Sequence, residues 1–322
     1  MLLAADVGGT TTRLGLFRRE PDRPLPIRTA RFASLDHDGM AAMLDEFLAP
    51  SNETGPIESA CFGVAGPVLE GTARLTNVPW TIEAAEIGSR FGIARIALLN
   101  DLEAMAYSVS ALGQDELATL QEGEPLGSGS AALIAAGTGL GEALLHNQDG
   151  HFVPAASEAG HADFAARTPR ELDFVRDLSE SLGRVRLEDV LSGSGLVNLY
   201  CFVHDEPCVA GTAENPDDVP AQITTSALAG DCRACVEALE MFVSAYGAEA
   251  GNLALRSTAT GGIYVGGGIA PQILPALESG GFLEAFRNKP PMTDLLAAVP
   301  VAVILHPQPG LLGAAVHAAE LL

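Results

Sequence analysis

The chain has 322 residues, 48 % of them hydrophobic, and its 18 basic and 41 acidic side chains leave a net charge of −23. This length exceeds the roughly 250–300 residues at which a single core usually stops growing, so the sequence predicts two domains. An acidic surface repels nucleic-acid phosphates and anionic lipids, so we expect neither a nucleic-acid partner nor a membrane.

The first third of the chain alternates between predicted strands and helices. Leu2 to Val7 is an apolar run ending at Gly8 and Gly9, which is typical of a buried strand followed by a turn, and residues 13–17 alternate as a returning strand would. Further strands are predicted at 27–32, 59–65 and 95–99, and helices at 40–48, 82–91 and 102–112.

The pattern begins again after residues 123–130, which contain Gly, Pro and Ser as linkers do. Residues 131–136 predict a buried strand that ends in Gly137-Thr138-Gly139, with 140–146 as its candidate return. Helices are predicted at 171–182, 192–202, 232–255 and 311–322, and strands at 263–265 and 300–305. The repeated strand–turn–strand unit, together with helical crossovers, predicts mixed sheets.

The first glycine turn could bind phosphate. Gly8 and Gly9 lack a Cβ, so an anionic oxygen can approach their backbone N–H groups closely, and Thr10 and Thr11 add hydroxyl donors. Asp6 would repel a phosphate unless a cation lies between them. Mg²⁺ is the cation that carboxylates usually hold beside a nucleotide.

A second turn, Gly137-Thr138-Gly139, is built in the same way, and two such turns could clamp a polyphosphate. Alone, either turn is also consistent with a plain hairpin. A dinucleotide fingerprint would need glycine where the chain has Glu142, and a P-loop would need a lysine, whereas the single lysine, Lys289, precedes two prolines. A bound nucleotide would therefore be held by backbone amides, hydroxyls, arginine and metal.

Short motifs across nearly the whole chain occur in the order found in bacterial glucokinases. They are Asp6-Val-Gly-Gly-Thr-Thr-Thr-Arg13, Leu99-Asn-Asp101, Gly137-Thr-Gly-Leu-Gly141, Glu158-Ala-Gly-His161, Val190-Leu-Ser-Gly-Ser-Gly195, Gly266-Gly-Gly-Ile269 and Pro309-Gly-Leu-Leu-Gly-Ala314. The chain resembles the glucokinase group of the hexokinase–actin superfamily. One departure is Thr11, where the family commonly has asparagine. No cysteine closely follows His161, unlike in the zinc-containing repressor/kinase family, so the resemblance is to the zinc-free glucokinases.

The resemblance implies an α/β fold: a two-domain, actin-like (ribonuclease H-like) sugar kinase with mixed sheets and an interdomain cleft for the sugar. We expect residues 1–110 plus 310–322 in a small domain and residues 111–309 in a large one. The resemblance also implies a homodimer. Five cysteines, with no export signal at the start of the sequence, fit free thiols in the cytoplasm.

The resemblance also implies a reaction, in which ATP with Mg²⁺ gives its γ-phosphoryl group to the 6-hydroxyl of glucose. Asp101 is implied as the base that takes the hydroxyl proton; from spacing alone, a helix N-cap at Asn100 or Asp101 is an equal alternative. The residues implied to contact glucose are Asn100, Asp101, Glu158, His161 and Glu188. Those implied to hold ATP are Asp6, Gly8, Gly9, Thr10, Thr11, Gly137, Thr138, Gly139, Gly266, Gly267 and Gly268. Asp6 is also implied to hold Mg²⁺, directly or through water.

Other functions stay open at this point. A kinase for mannose, fructose or N-acetylglucosamine would use the same chemistry, and ADP or polyphosphate could replace ATP as the donor. A non-catalytic sugar-sensing regulator belongs to a different class. It would need a DNA-binding helix-turn-helix ahead of the first glycine turn, and the negative charge of the chain disfavours it.

Cys232 and Cys235 have the spacing of half a zinc site or of a redox pair. A zinc site needs a second ligand pair of matching form, and Cys201 and Cys208 are poorly spaced for one. The segment also predicts a helix that continues through residues 236–240. The sequence therefore favours thiols that pack within a helix.

Overall fold

The computed structural model describes residues 1–49, 55–75, 78, 80–204, 208 and 215–322. These residues form two compact units. The first comprises Met1–Gly113, Phe152–Ala156 and His306–Leu322, and the second comprises Gln114–His151 and Ser157–Leu305. The division expected from the sequence, residues 1–110 with 310–322 and residues 111–309, stays a prediction.

In the first unit up to Gly113, short strands alternate with short helices. The elements are β1 (Leu2–Val7), β2 (Thr11–Arg18), β3 (Leu25–Ala33), α1 (Met40–Leu48), β4 (Ser59–Val64), β5 (Val68–Leu69), β6 (Thr72–Arg74), β7 (Thr81–Glu83), α2 (Ala84–Phe91), β8 (Ile96–Asn100) and α3 (Asp101–Ser108). Strands β5 to β7 form a separate small antiparallel sheet.

The first unit is built on a five-stranded mixed sheet in the order β3-β2-β1-β4-β8. Strands β1, β2 and β3 are antiparallel neighbours, whereas β1, β4 and β8 run parallel. Every residue of β4 is buried, and so is every residue of β1 except Asp6, which explains their nearly continuous apolar sequences. Val7 pairs with Val64, which in turn pairs with Asn100, so β1, β4 and β8 end at one edge of the sheet.

Residues 114–305 have the same mixture of strands and helices, with longer helices. They contain β9 (Leu117–Gln121), β10 (Ala131–Ala136), β11 (Leu140–Gln148), β12 (His151–Ser157), α4 (Pro169–Leu182), α5 (Gly193–Val203), α6 (Val219–Ala229), α7 (Arg233–Ser257), β13 (Gly262–Gly266), α8 (Leu274–Glu278), α9 (Gly281–Arg287), α10 (Thr293–Ala298) and β14 (Val301–Ile304). Helix α11 (Pro309–Glu320) follows.

The second large sheet has the order β12-β11-β10-β13-β14-β9. Strand β10 is antiparallel to β11 and parallel to β13, and β14 is parallel to β13 and antiparallel to β9. Both large sheets therefore combine a hairpin with parallel strands reached by helical crossovers. This arrangement confirms the mixed α/β fold predicted from the repeated strand–turn–strand unit.

Helix α6 was not predicted, because its sequence contains adjacent threonines, which are poor helix formers. Tertiary packing overrides this propensity. Ile223, Thr224 and Ala227 are buried, and the helix packs against α5 and α7. Gly230 ends it in the left-handed conformation, with a φ of 72°.

Helix α11 completes the core of the first unit. Leu311, Ala314 and Ala315 are buried in one cluster with Leu2 and Ala4 of β1. The hydroxyl of Ser59 donates a hydrogen bond of 2.6 Å to the carbonyl oxygen of Ala318 in the last turn of the helix. Among the helices that the structure describes, none combines the length and apolar character needed to cross a lipid bilayer.

Candidate active site

Asp6 and Asp101 are close enough for the charge of one to act on the other. Partial loss of hydration raises the pKa of Asp101, the bond from the Leu102 N–H lowers it, and the charge of Asp6 raises it further. Burial also raises the pKa of Asp6. Arg13, whose Nη1 lies 3.6 Å from Asp6 Oδ2, acts in the opposite direction but does not cancel the effect of burial. A divalent cation would stabilise two such neighbouring carboxylates.

Asn100 and Asp101 hold the start of α3. Asn100 is the N-cap residue, and its Oδ1 accepts a hydrogen bond of 3.0 Å from the Leu102 N–H. Asp101 Oδ1 accepts from the same N–H at 2.9 Å. Of the two residues that the sequence offered as N-cap, the structure therefore has Asn100 in this position. Asp101 is the first residue of the helix, and the backbone orients its carboxylate.

The first glycine turn is closed by its own backbone. The Gly8 N–H donates to the carbonyl oxygen of Thr11 at 3.0 Å, and a Cβ added at Gly8 would lie 2.9 Å from that oxygen. Gly8 is thus required for a close approach, and its N–H is engaged within the turn. The N–H groups of Gly9 and Thr10 donate to none of the described residues. The hydroxyl of Thr11, whose contact the sequence left unassigned, accepts a bond of 3.3 Å from Arg31 Nη2.

The second glycine turn lies beside the start of α5. The Gly137 N–H donates to the Gly139 carbonyl oxygen at 2.9 Å, and the Gly137 carbonyl oxygen accepts from the Gly193 N–H at 2.9 Å. Gly193 is the first residue of α5, and Ser192 caps it by accepting from the Gly195 N–H at 3.0 Å. The turn is therefore next to a helix N-terminus, which carries a partial positive charge.

Gly266, Gly267 and Gly268 lie at the end of β13, next to β10. Gly266 pairs with Ala135 across the parallel ladder. Gly267 has a φ of 84°, and a Cβ added there would lie 2.2 Å from the carbonyl oxygen of Ala136, so this position requires glycine twice over. A Cβ added at Gly268 would meet nothing within 4 Å.

Three of the predicted sugar residues lie together in the second unit. His161 lies between two carboxylates: its Nε2 is 3.8 Å from Glu158 Oε2, and its Nδ1 is 3.7 Å from Glu188 Oε1. The Glu158 side chain is 81 % exposed and that of Glu188 is 22 % exposed. Oxygen acceptors and a ring nitrogen on one surface suit a ligand with several hydroxyl groups.

Arg186 joins this cluster, although the sequence did not predict it. Its Nη1 lies 3.2 Å from Glu188 Oε1 and donates to His161 Nδ1 at 3.3 Å. In a neutral imidazole the proton is then on Nε2, on the side of Glu158. The Arg186 side chain donates hydrogen bonds of 2.7 and 3.1 Å to Asp189, and its backbone N–H donates a third of 2.8 Å. Burial raises the pKa of Asp189, but the bonds from Arg186 outweigh it and hold that pKa below its ordinary value.

Comparisons with known proteins give one consistent family. A family model described as Glucokinase matches residues 3–321. The glucokinase of Nostoc sp. is 39 % identical over 340 residues, covering 100 % of this chain and 99 % of its own length. The glucokinase of Mesorhizobium japonicum is 38 % identical over 320 residues, covering 98 % of this chain and 91 % of its own.

Solved structures agree with the sequence relatives. A glucokinase from an Antarctic psychrotroph has a TM-score of 0.88 at 30 % identity, covering 99 % of this chain and 98 % of its own. A ROK family glucokinase from Streptomyces griseus, in complex with glucose and AMPPNP, has a TM-score of 0.67 at 22 % identity, covering 99 % of each chain. The second likeness shows the fold alone. Together they confirm the actin-like sugar kinase fold expected from the sequence.

Proposed function

The chain belongs to the glucokinase family and is an ATP-dependent kinase that phosphorylates glucose; we propose that Asp101 is the catalytic base of this reaction. The observation that carries this proposal is the position of Asp101. It is the first residue of α3, directly after the end of β8, and its carboxylate is oriented by the Leu102 N–H. Loss of hydration raises the pKa of this carboxylate. A raised pKa increases the affinity of the carboxylate for a proton.

The proposed step moves one proton and one phosphoryl group. The 6-hydroxyl oxygen of glucose forms a bond to the γ-phosphorus as the bond from that phosphorus to the leaving ADP oxygen breaks. The hydroxyl proton passes to Asp101. Because the transition state of phosphoryl transfer is loose, the proton can leave late, and an ordinary carboxylate suffices if it is well placed. The products are glucose 6-phosphate and ADP.

Mg²⁺ fits the residues around Asp6. Its carboxylate is partly buried, its pKa is raised, and the only cationic side chain that the described residues place within 4 Å of it is Arg13, at 3.6 Å. Mg²⁺ is usually bound through one or two carboxylates together with substrate phosphates. Asp6 would hold the ion, directly or through water. When bound, the ion supplies neutralisation of phosphate charge.

We assign the glycine turns to ATP. In the first turn, the N–H groups of Gly9 and Thr10 are available to phosphate oxygens, and the Gly8 position keeps the turn tight. In the second turn, Thr138 adds a hydroxyl, and the N-terminus of α5 adds favourable electrostatic interaction with an anion. We assign the glycines at 266–268 to adenosine: the space beside Gly268 is open, whereas Gly267 packs against the backbone of Ala136.

We assign Glu158, His161 and Glu188 to the sugar, together with Asn100 and Asp101. Carboxylates accept hydrogen bonds from hydroxyl groups, and the pair Arg186–His161 fixes the ring so that its Nε2–H can donate. Recognition of this kind rejects an analogue that lacks one hydroxyl, because a polar group of the site is then left unpaired. Discrimination among hexoses would follow from these contacts.

The formation of sugar phosphate, separated and quantified directly, tests the substrate assignment, because every donor gives this product. Glucose, mannose, fructose and N-acetylglucosamine are compared as acceptors, and ATP, ADP and polyphosphate as donors. We expect the highest kcat/KM with glucose and ATP. A higher kcat/KM with another hexose or another donor would replace this assignment. The homodimer, the cytoplasmic location and the two-domain limits expected from the sequence stay predictions.

A further inference from the structure

Four side chains of the second unit bring metal-ligand atoms together, away from the residues assigned to ATP and glucose. They are His204, Cys208, Cys232 and Cys235, and one ligand atom from each lies within 4.8 Å of the other three. The sulfur atoms of Cys208 and Cys235 are 3.6 Å apart, and His204 Nε2 lies 3.3 Å from the sulfur of Cys232. The remaining thiol in this region, Cys201, is exposed and outside the cluster.

These separations suit a tetrahedral metal centre. Zinc binds sulfur at about 2.3 Å and imidazole nitrogen at about 2.0–2.1 Å, so tetrahedral angles place neighbouring ligand atoms roughly 3.5–3.8 Å apart. A disulfide would require sulfur atoms at about 2.0 Å. The Cys208 and Cys235 sulfurs therefore lie at the spacing of two ligands on one metal and well beyond the length of a covalent bond.

The four residues form two short pairs, as structural zinc sites usually do. Cys232 is the N-cap of α7 and Cys235 lies in its first turn, which gives the Cys-x₂-Cys pair. His204 is the C-cap of α5, and Cys208 is four residues beyond it. The sequence does not indicate this second pair, because it combines a histidine with a cysteine and not two cysteines.

The contacts around His204 prepare the ring for a metal. His204 Nδ1 lies 3.1 Å from the Tyr200 carbonyl oxygen, which can only accept, so Nδ1 carries the proton. Nε2 of the neutral ring then has a free lone pair, and this is the atom that faces Cys232. Tyr200 also holds Cys208, whose N–H donates to the tyrosine hydroxyl at 3.0 Å. Such outer contacts orient the ligands of metal sites.

We propose that His204, Cys208, Cys232 and Cys235 bind one Zn²⁺ in a structural Cys₃His site. Three thiols each lose a proton to solvent as their sulfur–zinc bonds form, and the imidazole binds through its lone pair. Four protein ligands leave no open position for a substrate, which is the arrangement of structural rather than catalytic zinc. The ion would tie the end of α5 to the start of α7 and so close the chain segment that contains α6.

Metal content tests the site directly. The protein is expressed with zinc, purified without reductant or chelator, and analysed for bound metal. We expect about one zinc per chain in the wild type and in Cys201→Ser, the matched control. Cys235→Ser and His204→Ala should lose most of the zinc, whereas His204→Cys, which offers a fourth thiolate, should retain it. Absence of zinc from the wild type, or its full retention by Cys235→Ser, would overturn the proposal.

A second experiment uses only the wild-type chain, so that it does not depend on variants that fold. After removal of zinc by a chelator, Co²⁺ should restore a visible spectrum with the thiolate bands of tetrahedral cobalt. Zinc should raise Tm by roughly 5 °C or more relative to the chelated protein. A Cys208–Cys235 disulfide found by mass spectrometry in the freshly purified protein, or a Tm unchanged by zinc, would contradict the site.

Discussion

The carboxylate of Glu188 lies against the backbone of Gly139, so that a Cβ built on Gly139 would come within 2.5 Å of Glu188 Oε2. The same oxygen accepts a weak bond of 3.4 Å from the N–H of Leu140. A residue assigned to the sugar thus touches the turn assigned to phosphate, within one unit. Movement of either one is transmitted to the other by direct contact.

Gly139→Ala should therefore weaken glucose binding although residue 139 is assigned to ATP. The added methyl group must displace the Glu188 carboxylate, and we expect the KM for glucose to rise about tenfold, the order of one lost hydrogen bond to a charged group. Gly137→Ala is the matched control, because a Cβ there meets nothing within 4 Å. Steady-state kinetics with each substrate varied would check this. An equal rise in glucose KM for both variants would contradict the Glu188 contact.

Asp101→Asn should abolish most turnover while preserving the fold. The amide oxygen can still accept from the Leu102 N–H, so the start of α3 is kept, but the proton acceptor is lost. We expect kcat to fall by at least about a hundredfold, with glucose binding retained in calorimetry. Asp115→Asn, at an exposed position, is the control. Turnover above about a tenth of wild type, a loss below ~1.4 kcal/mol, would show that Asp101 is not the base.

Glu158→Gln should raise the KM for glucose far more than that for ATP. The carboxylate is exposed and faces His161 Nε2, so the change removes a charged acceptor without disturbing the core. Glu180→Gln in the exposed last turn of α4 should change neither constant. Kinetics with both substrates varied gives the comparison. Similar increases for glucose and ATP would remove Glu158 from the sugar contacts.

The stability of the second unit should depend on pH through Glu142. This buried carboxyl and that of Glu249 both bond Nη2 of Arg256, and burial, with the charge of Glu249, raises the pKa of Glu142 from 4.5 to about 8. The native state therefore keeps a proton that the unfolded state loses above pH 4.5. The contribution of Glu142 to the free energy of unfolding is therefore fully present below pH 4.5 and declines as the pH rises towards about 8.

Glu142→Gln removes this titration. Relative to wild type, the variant should gain on the order of 1–2 kcal/mol of unfolding free energy between pH 5 and pH 8. Chemical denaturation of both proteins across this range measures the difference. Any titration of the cysteine cluster is common to the two proteins and cancels in the comparison. Parallel stability curves would show that Glu142 is ionised in the native state throughout.

The sequence predicted the parts of the fold that rest on local signals. Strands such as β4 and β10 are buried at every residue, so their apolar runs are continuous and easily recognised. The two glycine turns directly follow predicted strands, and this position allowed the sequence to predict phosphate binding there. Strand β12 and helix α6 escaped prediction because their sequences are mixed in character, and their conformation depends on the neighbours they pair with or pack against.

The site followed the same rule. The family resemblance supplied Glu158, His161 and Glu188 but not Arg186, because the contact of Arg186 with His161 depends on backbone pairing between distant segments. The N–H groups of Leu187 and Glu188 donate to the carbonyl oxygens of Ala162 and Gly160 at 2.9 Å, which brings the two segments side by side. The only sequence signal for Arg186 is that it is a charged residue two positions before Glu188. This spacing does not indicate which way the Arg186 side chain points.

Helix α11 has a consequence for the order in which the chain acquires structure during synthesis. Its buried residues Leu311, Ala314 and Ala315 complete the cluster that contains Leu2 and Ala4, yet they are translated after the whole of the second unit. Until α11 is made, this cluster contains residues of α3, such as Ala104, but not the residues of α11, so the core of the first unit is incomplete while the second unit is synthesised. Folding of the units one after another from the amino terminus, the usual order for multidomain proteins, therefore cannot be completed for the first unit until the last residues are made.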